Sequence, residues 1–66
     1  MKKPSKLKMA RIEAGLSQGE LAEKCGVHRT IISKAERGGA LNGYTMLAIC
    51  RALGKTLDDL FWEEQL

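Results

Sequence analysis

Apolar and polar positions along this 66-residue chain recur with the spacing of α-helices, and glycines punctuate the recurrence. Leu7, Ala10, Arg11 and Ala14 fall at i, i+3, i+4 and i+7, one face of a helix from about Ser5 to Ala14. Ser5, after Pro4, is a candidate N-cap, and Gly15 suits a left-handed stop. A second helix opens with Ser17-Gln18-Gly19-Glu20, a capping box. The Ser17 hydroxyl is expected to accept from the Glu20 amide while the Glu20 side chain reaches back. Leu21 and Cys25 share a face beside the small Ala22, and Gly26 ends the helix. A third helix is predicted from His28 or Arg29 to Arg37, followed by Gly38-Gly39, and a fourth from Gly43 to Leu53, between an Asn42 cap and a Gly54 stop. Leu47, Cys50 and Leu53 are its expected inner stripe, with Met46 alongside. Thr56 caps a fifth, from Leu57 to Glu63 or Glu64, with Asp58 and Asp59 in the first turn, where negative charge suits the helix dipole. No alternating apolar run or hairpin dipeptide predicts a strand. The expected fold class is all-α, a compact five-helix bundle forming one domain over residues 1–66.

Length and composition narrow the function. A chain of this size buries only about 60% of its unfolded surface, enough for one small core. At 44% hydrophobic and 29% charged residues it has the apolar surface to fold. No apolar run approaches the roughly 20 residues of a membrane span, and the basic start is not followed by the hydrophobic segment of a signal peptide. The expected compartment is therefore the cytoplasm. Cys25 and Cys50 form no CxxC pair, and with His28 they are too few for a four-ligand zinc site. They read as buried small hydrophobes, with a disulfide as the alternative. No catalytic Ser/His, Cys/His or paired-carboxylate set stands out, so no enzyme, cofactor or small-molecule ligand is expected.

The net charge of +3 hides segregation. Lys2, Lys3, Lys6, Lys8 and Arg11 occupy the first eleven residues without an acid, and Arg29, Lys34 and Arg37 outweigh Glu36 in the third helix. Asp58, Asp59, Glu63 and Glu64 make the end acidic. The basic arm lacks the apolar stripe of a membrane-surface helix. RNA binding by stacking is disfavoured, because Tyr44, Phe61 and Trp62 all lie outside the basic segments.

The third helix gives the charge a direction. With Arg29 at zero and about 100° per residue, Ser33 lies near 40°, Arg37 near 80°, Thr30 near 100° and Lys34 near 140°. Ile31, Ile32 and Ala35 fall near 200–300°, and Glu36 lies at the seam beside them. The donor-rich face fits a DNA major groove: Arg bonds guanine bidentately, Ser bonds several base edges and the Thr methyl packs on thymine. Arg29, Thr30 and Ser33 are the candidate base readers, and Lys34 and Arg37 the candidates for a base or phosphate contact. The segment from Gln18 to Arg37 reads helix, short turn, helix, with Ala22 small at the contact, Gly26 in the turn, and Val27 and Ile32 plugging the angle. The alternative is an ordinary corner between two helices. The free amides of the second helix with Gln18 make a candidate phosphate site.

The residues Leu7-Lys8, Ala10-Arg11, Gly15-Leu16-Ser17-Gln18, Glu20-Leu21-Ala22, Gly26-Val27, Ile32-Ser33-Lys34 and Glu36-Arg37-Gly38 stand in a pattern that resembles the phage repressor and Cro-type helix-turn-helix family. Ala52-Leu53-Gly54 and Leu57-Asp58-Asp59-Leu60-Phe61 resemble its usual ending. The resemblance spans about Lys6 to Phe61 and implies a lambda-repressor-like domain that binds double-stranded DNA as a homodimer on a two-fold operator, in a bacterial or phage-encoded regulator. It carries Gln18 over as a backbone-contacting residue, and Arg29, Thr30, Ser33 and Lys34 as recognition positions. Ser17, Lys6, Lys8, Arg37 and His28 complete the phosphate-facing candidates. The resemblance also implies that Arg11 pairs with Glu36; the alternative for Arg11 is a phosphate contact.

Four features depart from the family pattern. His28 stands where Ser or Thr usually caps the third helix, so that helix is expected to start loosely, with His28 an exposed turn residue or turned to phosphate. Gly19 replaces a better helix former at a cost of up to about 1 kcal/mol. Ala35 and Ile31 exchange the usual bulk of their positions. The loop Gly39-Ala40-Leu41-Asn42 lacks the charged or Pro-containing sequence often found there, so its phosphate contacts would come from backbone amides. Trp62 and Leu66 are candidate interface residues near the end of the chain. The expected function is a sequence-specific transcriptional regulator, a repressor. The alternative is an antitoxin-like module that neutralises a partner protein and regulates its own operon.

Overall fold

The protein, described by a computed structural model over residues 5–61, places five α-helices where the periodicity puts them. They are α1 (Lys6–Glu13), α2 (Gln18–Cys25), α3 (Arg29–Glu36), α4 (Gly43–Leu53) and α5 (Leu57–Phe61). Lys2, Lys3, Trp62, Leu66 and the expected continuation of α5 lie outside the described residues.

Side-chain caps fix the helix starts. Ser5 Oγ accepts from the Lys8 amide at 3.0 Å. Ser17 and Glu20 form the expected reciprocal box, at 3.0 Å to the Glu20 amide and 2.9 Å from the Ser17 amide. Asn42 Oδ1 accepts from the Thr45 amide at 2.7 Å. Thr56 and Asp59 exchange two bonds of 3.1 Å, a second reciprocal box built with aspartate. These bonds to the ionised form hold the Glu20 and Asp59 carboxyls below their ordinary values. Each cap satisfies amides that the first turn leaves without an intrahelical partner.

The core is small and drawn from every helix. Leu7, Leu21, Ile32 and Ile49 are fully buried, with Ala10, Ala22, Cys25, Ala35, Cys50 and Leu60 around them. Both cysteines are free and buried, and burial pushes their thiols up. The helix α2 packs on α3 and α4, while α1 packs on α5 and α3. Helix α3 is thus clasped from two sides by its inner face, and its outer face is left open.

Helix α4 departs from the expected stripe. Thr45, Ile49 and Cys50 are buried, whereas Leu47 is 53% exposed and Leu53 and Met46 are half-buried. The cause is composition. Apolar residues nearly surround this helix, so spacing alone does not choose its inward side. Packing chose the row through Thr45 and Ile49 and turned Tyr44 and Leu47 outward. Accordingly, Ile49→Ala should cost about 2–5 kcal/mol of stability. Leu47→Ala should stay within about 0.5 kcal/mol. Urea unfolding in dilute solution measures both, and equal losses would contradict this rotation of α4.

Candidate nucleic-acid interface

The turn between α2 and α3 is built by two residues. Gly26 adopts a left-handed conformation, φ 72° and ψ 30°, which a side chain would strain. The Val27 amide then donates to the Ala22 carbonyl at 3.0 Å, closing the end of α2. Val27 packs half-buried against the core, and Ile32 beyond it is fully enclosed. Together these fix how α3 leaves α2.

His28 begins α3 as a true cap, which corrects the expectation of a loose start. Its backbone is extended, and Nδ1 accepts from the Thr30 amide at 3.2 Å. The Thr30 hydroxyl also lies 3.0 Å from the same nitrogen. The aromatic nitrogen does here what a Ser or Thr oxygen does elsewhere. A lone pair within reach of an uncovered amide suffices, whatever atom carries it.

The end of α3 is anchored by charge. Arg11 is buried, and its Nε meets Glu36 Oε2 at 2.5 Å. Its Nη2 reaches Glu36 Oε1 at 3.3 Å, and Nη1 donates to the Leu16 carbonyl at 2.8 Å. The Glu36 side chain is only 5% exposed and also accepts from Gln18 Nε2 at 3.0 Å. The Arg11–Glu36 pair that the family resemblance implied is present, and Gln18 joins it. Helices α1, α2 and α3 thereby meet at one carboxylate.

Turning Glu36 inward leaves the outer face of α3 without an acid. Arg29, Thr30 and Lys34 are exposed there, and Ser33 is half-buried. Arg37 is exposed at the helix end and donates from Nη1 to Ser33 Oγ at 2.9 Å, so these two candidates act as one unit. Around them, Ser17, His28, Lys6 and Lys8 are exposed, and Gln18 is half-buried with one amide N–H already committed to Glu36.

Gly39 is a contributor the sequence reading missed. After Gly38, at φ 85°, the Gly39 amide donates to the Lys34 carbonyl at 2.9 Å. The Lys34 stem lies over Gly39, where an added Cβ would come within 2.4 Å of Lys34 Cγ. Glycine there leaves room for the lysine to lie as it does. The Gly-Gly pair signalled a helix stop and carried no sign of this second role.

Removing either half of the buried ion pair leaves an uncompensated charge, a loss of about 3–5 kcal/mol. That is comparable with the whole stability of a 66-residue domain, at ~0.05–0.15 kcal/mol per residue. Arg11→Ala and Glu36→Ala should each show it by urea unfolding, whereas Arg11→Met combined with Glu36→Leu should lose far less than their sum. Small, additive losses would contradict the anchoring role.

Comparison with known proteins agrees with this arrangement. A helix-turn-helix family model matches residues 7–60 of the chain. An uncharacterized HTH-type transcriptional regulator, YgzD, of Bacillus subtilis (strain 168) is 34% identical over 62 residues, covering 92% of this chain and 94% of its own length.

Proposed function

Because the chain belongs to the Cro/C1-type helix-turn-helix family of DNA-binding transcriptional regulators, which are not enzymes, we propose that it is a sequence-specific repressor acting as a homodimer on a two-fold operator. The observation that carries this reading is the outer face of α3. It offers Arg29, Thr30, Ser33 and Lys34 outward, with Glu36 turned away onto Arg11 and Gln18. A carboxylate on that face would repel phosphate and require desolvation; its inward turn leaves a face of donors and cations that suits base edges.

Arg29, Thr30, Ser33 and Lys34 read bases from the major groove. Gln18, with its second amide N–H, and Ser17 receive a phosphate at the start of α2, where uncovered amides favour an anion. Lys6, Lys8, His28 and Arg37 hold flanking phosphates. Regulation is by occupancy: two recognition helices enter successive major grooves about 34 Å apart and exclude polymerase.

The support for a homodimer lies on the side formed by α4 and α5. Leu47 and Leu57 are exposed there beside a groove lined by Cys50, Arg51, Lys55 and Asp58, so apolar surface and both signs of charge occur together. Such a patch is suited to meet its own copy across a two-fold axis.

Arg29→Ala should lose roughly 1–3 kcal/mol of discrimination at defined base positions, measured by titrating single-base operator variants. A uniform loss across all sequences would instead make Arg29 a phosphate contact. Lys8→Ala should lower the slope of log affinity against log salt by about 1 and leave base preference unchanged; an altered preference would contradict its assignment. Sedimentation should find two chains per operator, and one chain both free and bound would overturn the homodimer.

A further inference from the structure

Two hydroxyls stand on the outer face of α3, and the surrounding side chains treat them differently. Thr30 Oγ1 lies 3.0 Å from His28 Nδ1, which also accepts the Thr30 backbone N–H at 3.2 Å. The backbone hydrogen has a fixed direction, so Nδ1 must present its lone pair and the ring hydrogen must sit on Nε2. A nitrogen without a hydrogen can only accept from the hydroxyl, so the Thr30 hydroxyl hydrogen shares the one lone pair with the backbone N–H in a three-centre contact. The Thr30 oxygen then faces outward with acceptor lone pairs and no hydrogen. Ser33 is the opposite case. Its oxygen accepts from Arg37 Nη1 at 2.9 Å, and its hydrogen has no acceptor among the described residues. Ser33 therefore faces outward as a donor.

We infer that His28 is a specificity-determining residue: by holding the Thr30 hydroxyl hydrogen, it makes Thr30 an acceptor that selects an amino base, while Ser33, braced by Arg37, is a donor that disfavours cytosine alone. In the major groove adenine and cytosine present amino donors where guanine and thymine present carbonyl acceptors. A free hydroxyl rotates to suit either, which is why Ser and Thr discriminate poorly on their own. Here the protein has already made the choice, so the Thr30 contact disfavours guanine and thymine, and the Ser33 donor, which adenine N7, guanine and thymine can all accept, disfavours cytosine. The inference rests on the reading of α3 as the base-reading helix. It adds to that reading the class of base that two positions require, and a role for a histidine that need touch no base. His28 is exposed, so its Nε2–H can also donate to a phosphate.

Selection from a random duplex library, followed by competitive titration of single-base variants, tests this with the full chain. Thr30→Val locates the base under Thr30 as the position where preference collapses. In the unaltered protein that base should be adenine or cytosine, favoured a few-fold to about tenfold over its keto counterpart, the range expected of one hydrogen bond. His28→Ala should bring the ratio at that position close to one and leave the position read by Arg29 unchanged. Because His28→Ala also removes a helix cap, His28→Ser is the second variant: its hydroxyl can cap α3 yet both donate and accept, so the preference should vanish while stability is kept. In the Thr30→Val background either His28 change should be silent at that position. A keto base under Thr30, no position that responds to Thr30→Val, or an amino preference that survives both His28 variants would overturn the inference while leaving a sequence-specific regulator intact. Failure of the unaltered protein to enrich any sequence would overturn the sequence-specific reading itself, and this inference with it.

Discussion

A guanidinium taken out of water must find acceptors on every side, and in this small domain Arg11 finds them in two other helical regions. Its Nε and Nη2 take the Glu36 carboxylate from the end of α3, and its Nη1 takes the Leu16 carbonyl from the turn before α2. Gln18 adds a third helix to the same carboxylate. A buried pair of this kind contributes little net stability beside a well-packed apolar alternative, because desolvation offsets the attraction. What it supplies is position. The carboxylate cannot leave without stranding a buried cation, so the last turn of α3 is held to α1 and to the start of α2. The same constraint keeps the helix's only acid off the outer face, the one we propose meets DNA.

The rest of the interface follows from that fixed helix. Gly26 sets the angle at which α3 departs, His28 closes its first turn, and Gly38 and Gly39 close its last. Each device is local and made of one or two residues, yet all act on one element. Core packing by Ile32 and Ala35 holds the inner side of α3, so the outer side carries only local contacts, Thr30 with His28 and Ser33 with Arg37. That division of labour leaves Arg29, Thr30, Ser33 and Lys34 outside the core, on the face proposed to read an operator.

Much of this was legible in the sequence because the signals are local. The Ser17–Glu20 capping box, glycine stops and the seam position of Glu36 depend on residues three or four apart, and the local pattern gave α1 to α4 and the start of α5 to within a residue or two. What was illegible depends on rotation or on atoms. Helix α4 is apolar nearly all round, so its pattern did not choose between Leu47 and Ile49 as the inward residue. The capping role of His28 was missed because residue preference describes hydroxyls and carboxylates, whereas the structure uses a ring lone pair. The place of Gln18 on Glu36 and the room that Gly39 leaves for Lys34 arise between segments brought together only by folding. The separation of the two α3 hydroxyls into acceptor and donor lies beyond pattern altogether, since both are simply small polar residues in sequence.

If α3 reads a two-fold operator in copies held by a common surface, the bound DNA must carry the symmetry of the protein. Deep sequencing of duplexes retained from a random library measures this most directly, because half-site sequence, symmetry and spacing emerge together. Two inverted half-sites are expected, with centres about 10–10.5 base pairs apart or a multiple of that spacing. Enrichment of a single asymmetric site, or of no sequence, would contradict that reading of α3.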